Sequence, residues 1–147
     1  MSDMKKGIDY TGVTVSYFCV DGKGNVLLNL RSKNCRDEHG RWDNGGGGLE
    51  FGSTVEETLA KELKEEYCVD ILEKEFLGYQ DVLREQDGVK THWLAIYFKV
   101  KVDPAQVKNG EPHKFDDIRW FKFTDLPQPM HSQLLPGIEA FKDKLIG

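Results

Sequence analysis

The chain has 147 residues, 39% of them hydrophobic and 11% aromatic, which suits one domain with a substantial core and excludes a disordered chain. A formal charge of −5 argues against non-specific binding to duplex nucleic acid, though it leaves room for a local basic pocket for phosphates. Cys19, Cys35 and Cys68 have no metal-ligand spacing, and there is neither a signal peptide nor an apolar run long enough to span a bilayer, so the expectation is a reduced, cytoplasmic protein without a membrane partner.

Met1 to Asp9 is polar and reads as a loose leader, which puts residues 1–10 outside a single domain of 11–147. Thr11–Val20, rich in β-branched and aromatic residues, predicts a strand. Asp21–Asn25 turns the chain and Val26–Arg31 returns as the second strand of a hairpin. Ser32–Gly40 is loop-like, and Arg41, Trp42 and Asp43 lead into a run of four glycines. A helix follows, from Val55 to about Cys68. Phe76–Arg84 predicts a strand, Glu85–Gly88 a turn, and Thr91–Val102 gives the strongest strand signal in the chain. Pro104–Pro112 is a loop, Asp117–Lys122 a short strand, and Thr124–Pro127 a helical turn. Gln133–Ile146 closes the chain with a roughly helical apolar period, Pro136 being acceptable in a first turn. Strands with one helix in the middle and one at the end read as α/β sandwich material.

The run Gly45–Gly48, with Gly52, is no ordinary core element, because glycine costs entropy and buries no side chain. Directly after it, Ser53 or Thr54 can cap the helix, each having a glutamate three residues on. At about 100° per residue, Val55, Leu59, Leu63 and Tyr67 form one apolar stripe, with Glu57, Lys61 and Lys64 opposite. Glu62 and Glu66 fall within roughly 20° of Val55, and Glu65 about 80° from it. Carboxylates on the packing side need a strong partner, and a hard divalent cation such as Mg²⁺ or Mn²⁺ would supply it. The bland alternative is a solvated acidic helix with Glu–Lys pairs. The glycine run feeding straight into the helix favours the first reading.

This stretch resembles the Nudix box, which reads glycine, five residues, glutamate, seven residues, then Arg-Glu-hydrophobic-any-Glu-Glu-any-Gly-hydrophobic. Here Gly47 is followed after five residues by Ser53, and after seven more by Lys61-Glu62-Leu63-Lys64-Glu65-Glu66-Tyr67-Cys68-Val69. The spacing and the Glu-Leu-any-Glu-Glu core are intact, while Ser53, Lys61 and Cys68 depart from the family pattern. The resemblance implies an α-β-α sandwich with a mixed central sheet. It also implies a Mg²⁺-dependent hydrolase that cleaves the diphosphate bond of a nucleoside diphosphate linked to another group. A nucleoside triphosphate, in the manner of MutT, is the first expectation; a nucleotide sugar or ADP-ribose is the alternative, and a nucleotide-binding module with weakened catalysis a third reading. The same resemblance makes Gly47 (through its carbonyl), Glu62, Glu65 and Glu66 the metal ligands, and one of Glu62, Glu66 or Glu111 the base. Lys61 stands where the family's arginine orients a catalytic glutamate. The small-molecule nucleotide is the expected partner, with a homodimer left open.

Other residues carry weaker signals. Arg31 ends a strand where many family members place a phosphate- or substrate-contacting arginine, against the alternative of a solvated strand end. Glu111, in Glu111-Pro112-His113-Lys114, resembles a loop that supplies an extra acidic metal ligand, base or substrate contact, against a plain surface turn. His92 reads as a packed or hydrogen-bonded histidine more readily than as a catalyst, and His39, His113 and His131 lack zinc spacing. Tyr17, Trp42 and Trp93 could stack a nucleobase, but aromatics in such a pattern are core more often than not. The glycine run lacks the Gly-Lys-Ser/Thr ending of a P-loop.

Overall fold

Alternation along the first strand decides how the layers assemble. The computed structural model describes residues 3–146. Strand β1 (Gly12–Val20) sends Val15, Tyr17 and Cys19 to one face, where they pack with Leu59, Leu63 and Tyr67 of helix α1 (Val55–Tyr67). Phe18 and Val20 point the other way, against Leu134 and Ile138 of α2 (Leu134–Ala140) and Leu145 of α3 (Lys142–Leu145). A strand buried on both faces needs helices on both, and the result is the expected α-β-α sandwich.

The sheet contains β2 (Asn25–Arg31), β3 (Trp42–Asp43), β4 (Gly45–Gly48), β5 (Glu73–Gln86), β6 (Val89–Lys101) and β7 (Phe115–Lys122) around β1. Its order is β3-β2-β1-β6-β5, with β4 on β1 and β7 on β2. The β1–β6 pair is parallel and every other pair antiparallel, so the sheet is mixed. On one edge β1 pairs β4 from Thr14 to Tyr17, and β2 only at Cys19 and Val20. The two partners diverge there. Asn44 bridges the divergence, its Nδ2 donating to Ser16 Oγ at 2.6 Å and to the Tyr17 carbonyl at 3.0 Å.

Several elements differ from the sequence-based expectation. The glycine run, to which the sequence assigned no element, is a ladder strand because the β1 backbone satisfies its hydrogen bonds. β5 and β6 extend beyond their predicted ends to a turn at Asp87 and Gly88, since mutual pairing carries weak strand formers such as Glu85 and Gln86. The terminal helix breaks at Phe141 (φ −120°, ψ 23°), whose ring packs 5.2 Å from that of Tyr97. Thr124–Pro127 makes only an irregular turn. Lys5–Tyr10 is hydrogen-bonded rather than free: Gly7 N–H donates to the Tyr10 carbonyl at 2.7 Å, and the Gly7 carbonyl accepts from His92 N–H at 2.8 Å. No helix among the described residues is long and apolar enough to cross a membrane.

Candidate active site

Two caps set the orientation of α1. At its start Thr54, not Ser53, makes the capping box: Thr54 Oγ1 accepts from Glu57 N–H and Glu57 Oε1 accepts from Thr54 N–H, each at 3.0 Å. Ser53 stays exposed outside the helix. At the other end Cys68 takes the left-handed conformation (φ 60°, ψ 34°) and donates its N–H to the Lys64 carbonyl. Between these caps the buried stripe Leu59, Leu63, Tyr67 presses the helix onto β1, which turns Glu62 and Glu66 toward β4.

Glu66 is the more enclosed of the two. Its Oε1 accepts from the Tyr17 hydroxyl at 2.6 Å and from Gly46 N–H at 3.0 Å. Burial pushes its carboxyl up to about 8, against the lowering effect of the Tyr17 bond. Glu62 lies directly on β4. A Cβ added at Gly47 would fall 2.2 Å from the Glu62 carboxyl carbon, so only glycine lets the helix carboxylate come this near the strand. Burial again raises the Glu62 pKa, and Glu65 and Glu111 raise it further, while Lys61 and Lys114 pull it down. The Gly47 carbonyl accepts from Thr14 Oγ1 at 3.1 Å. Two partly buried carboxylates and a carbonyl with too little positive charge nearby form a hard oxygen donor set of the type that suits a divalent cation.

Glu65 faces outward, and Lys61 Nζ stands 4.0 Å from it in an exposed pair. Glu111 comes from the loop before β7 and approaches His113 at 3.7 Å. Arg31 is no solvated strand end. It pairs with Asp37 at 3.0 Å and Asp43 at 3.5 Å, and burial raises the Asp43 pKa against the pull of His131 and Arg31. Arg84 of β5 pairs with Glu38 at 3.1 Å, and His131 with the same Glu38 at 2.9 Å. Among the described residues, Asp37, Glu38 and His131 are the three potential ligands gathered within 4.8 Å; Glu62, Glu65 and Glu66 do not gather so tightly. The first group is already neutralised by two arginines, and Glu38 also accepts from Ser132 N–H and Oγ. It ties the loop after β2 to β5 and to the segment before α2.

A cleft of about 720 Å³ runs from Glu66 and Gly45–Gly48, past Thr14 and Ser16, to Arg84 and Trp93. Its size is that of an ordinary small-molecule site. Of the aromatics singled out by sequence, Tyr17 and Trp42 are core, while Trp93 is half-buried on the cleft wall. His92 bonds to Asp81 at 2.8 Å and to Thr11 at 3.3 Å. Sequence reasoning missed Tyr17 as a partner of Glu66 and missed the Asp37–Glu38–Arg84 network. Alternation along β1 could have placed Tyr17 on the α1 face; nothing local connects Arg84 to Glu38.

The model of the NUDIX domain matches residues 10–141, nearly the whole chain. The chain belongs to the Nudix family. An ADP-ribose pyrophosphatase of Methanocaldococcus jannaschii is 31% identical over 127 residues, which span 86% of this chain and 72% of the relative. A solved MutT NUDIX hydrolase from Burkholderia pseudomallei superimposes with a TM-score of 0.78 at 25% identity, over 88% of this chain and 97% of its own. The NUDIX domain of Shewanella oneidensis NrtR, solved with ADP ribose, shares the fold alone: TM-score 0.74 at 19% identity, over 92% and 88% of the two chains. The protein is a Nudix hydrolase acting on phosphoric anhydrides, from a family that generally uses divalent metal ions.

Proposed function

We propose that this Nudix hydrolase cleaves the diphosphate bond of a nucleoside diphosphate linked to a sugar, with ADP-ribose as the type of substrate and Mg²⁺ as the metal. The observation that carries the hydrolytic site is the pair of under-compensated carboxylates, Glu62 and Glu66, at the glycine strand that floors the cleft. Glu62, Glu66 and the Gly47 carbonyl, with Glu65 beside them, would hold the cation. When bound, it neutralises diphosphate oxygens and lowers the pKa of the attacking water. The chain's own groups do the rest. Tyr17 and Gly46 fix one oxygen of Glu66, so the other is offered to the site. Thr14 fixes the Gly47 carbonyl. Glu62 or Glu111 takes the proton of the water, and Arg31 lines the cleft already paired with Asp37 and Asp43.

The choice of a sugar-linked substrate rests on charge. Arg31 and Arg84 border the cleft but are held by Asp37, Glu38 and Asp43. A third phosphate would find those guanidiniums already paired, whereas a neutral ribose would not need them. The name of the Methanocaldococcus relative agrees with this choice. The likeness to a MutT hydrolase supports a nucleoside triphosphate as the second reading. A panel of ADP-ribose, nucleotide sugars and nucleoside triphosphates, assayed with and without Mg²⁺, tests the reading. Preference for triphosphates would overturn the substrate, and no turnover on any of them the hydrolytic site.

A further inference from the structure

We propose that Trp93 is the stacking platform for the substrate's nucleobase, an inference that rests on the reading of the cleft as a nucleotide site. Trp93, Ala95 and Tyr97 alternate along one face of β6. Ala95 and Tyr97 are buried in the core beneath the C-terminal helices, but Trp93, at the end of the row, is only half-buried and lines the cleft. Its indole packs closely over two glycines. A Cβ added at Gly7 would fall 2.1 Å from Trp93 Nε1, and one at Gly12 would fall 2.6 Å from Cε3 and Cζ3. The pyrrole and benzene ends of the ring are each seated on a glycine. Gly7 is held in place by its own bonds to Tyr10 and His92. The ring is therefore oriented before any ligand arrives, which spares the cost of ordering it on binding.

Position along the sheet decides which part of a nucleotide would reach it. Gly47 pairs with Val15, and Val15 with Ile96, three residues beyond Trp93. At about 3.3 Å per residue Trp93 lies ~10 Å along the strands from the level of Glu62 and Gly47. That offset suits a base joined through ribose to a diphosphate at β4. Ile8, Val82 and Val89 line the same end of the cleft and supply apolar surface beside the ring, and Thr91 and Gln86 supply polar atoms at its margin. A flat heteroaromatic base matches this chemistry, since stacking uses the π-face that every base has.

Calorimetric titration with AMP and with ribose 5-phosphate separates the base from the rest of the ligand. Trp93→Leu should weaken AMP binding by about 5- to 150-fold and leave ribose 5-phosphate unaffected, while Trp93→Phe should keep most of the AMP affinity. AMP should also quench tryptophan fluorescence of the wild type, and the quench should vanish in Trp93→Phe. Unchanged AMP affinity in Trp93→Leu, or equal weakening of both ligands, overturns the platform. If the wild type still hydrolyses nucleotides in either of those cases, the hydrolase reading stands without it; a wild type that neither binds AMP nor turns over any nucleotide overturns both.

Discussion

Tyr17→Phe removes one oxygen from a fully buried ring, and it should weaken divalent-metal binding far more than it destabilises the fold. The Tyr17 hydroxyl donates to Glu66 at 2.6 Å, and among the described residues the other donor to that oxygen is Gly46 N–H at 3.0 Å. Without the hydroxyl the Glu66 carboxylate can rotate, and the oxygen proposed to face the metal is no longer fixed. Losing such a partner of a metal ligand typically costs 10- to 100-fold in affinity, or about 1.4–2.7 kcal/mol. The metal-free fold should lose no more than about 1 kcal/mol, because the edge-on packing against Tyr67 at 6.1 Å remains and a carboxyl whose pKa is pushed up to about 8 can keep its proton at neutral pH. Calorimetric titration with Mg²⁺ or Mn²⁺ reads the affinity, and thermal melts with and without metal read the stability. Metal should raise the wild-type melting temperature by mass action and raise that of the variant less at equal concentration. Unchanged metal affinity in a folded Tyr17→Phe protein would refute the positioning argument. Absence of any metal-induced shift in the wild type would refute the site itself.

Glu62→Gln and Glu66→Gln should each remove most hydrolysis while circular dichroism and melts report an intact fold; near wild-type turnover in both would reduce the acidic face to a helix surface. Glu66 also carries a pH signature. Its folded pKa is raised, so its contribution to the metal-free fold is fully present below about 4.5 and lost as pH rises through about 8. Metal-free wild type should therefore lose more stability between about pH 5 and about pH 9 than Glu66→Gln does, and parallel melting curves would contradict that. Cys68→Gly should stabilise the protein by about 1 kcal/mol, because Cys68 closes α1 at φ 60°, where a Cβ is strained; a loss in a denaturant titration would mean that the thiol's own contacts outweigh the strain. Lys61→Arg should raise turnover modestly by replacing a point charge, 4.0 Å from Glu65, with a fork that can grip a carboxylate. Ser53→Glu, outside the cap that Thr54 provides, should couple to it, and strict additivity in the double mutant would show that the two positions share no network.

What is periodic or local in this chain could be read from it directly. The helix after the glycines, its apolar stripe and the side on which Glu62 and Glu66 lie follow from 3.6 residues per turn, and the box spacing carried the family resemblance that the NUDIX match bears out. The core strands follow from period-two alternation of residues such as Val15, Tyr17 and Cys19. The sequence leaves the cap open between Ser53 and Thr54, because both offer a hydroxyl and a glutamate three residues on; only the backbone geometry at Thr54 decides it. The partners of the site belong to tertiary structure. Tyr17 and Glu66 are 49 residues apart, and Arg84 and Glu38 are 46 apart. Each pair exists because strand register and helix docking bring two distant elements to one level, and neither residue carries a sign of the other. The same holds for Trp93, which follows the alternation of a core strand in sequence. It becomes a cleft residue because the C-terminal helices pack over Ala95 and Tyr97 but leave Trp93 out of that cluster, and two glycines lie beneath its ring. Burial is a property of what packs over a residue, and the sequence around that residue does not contain it.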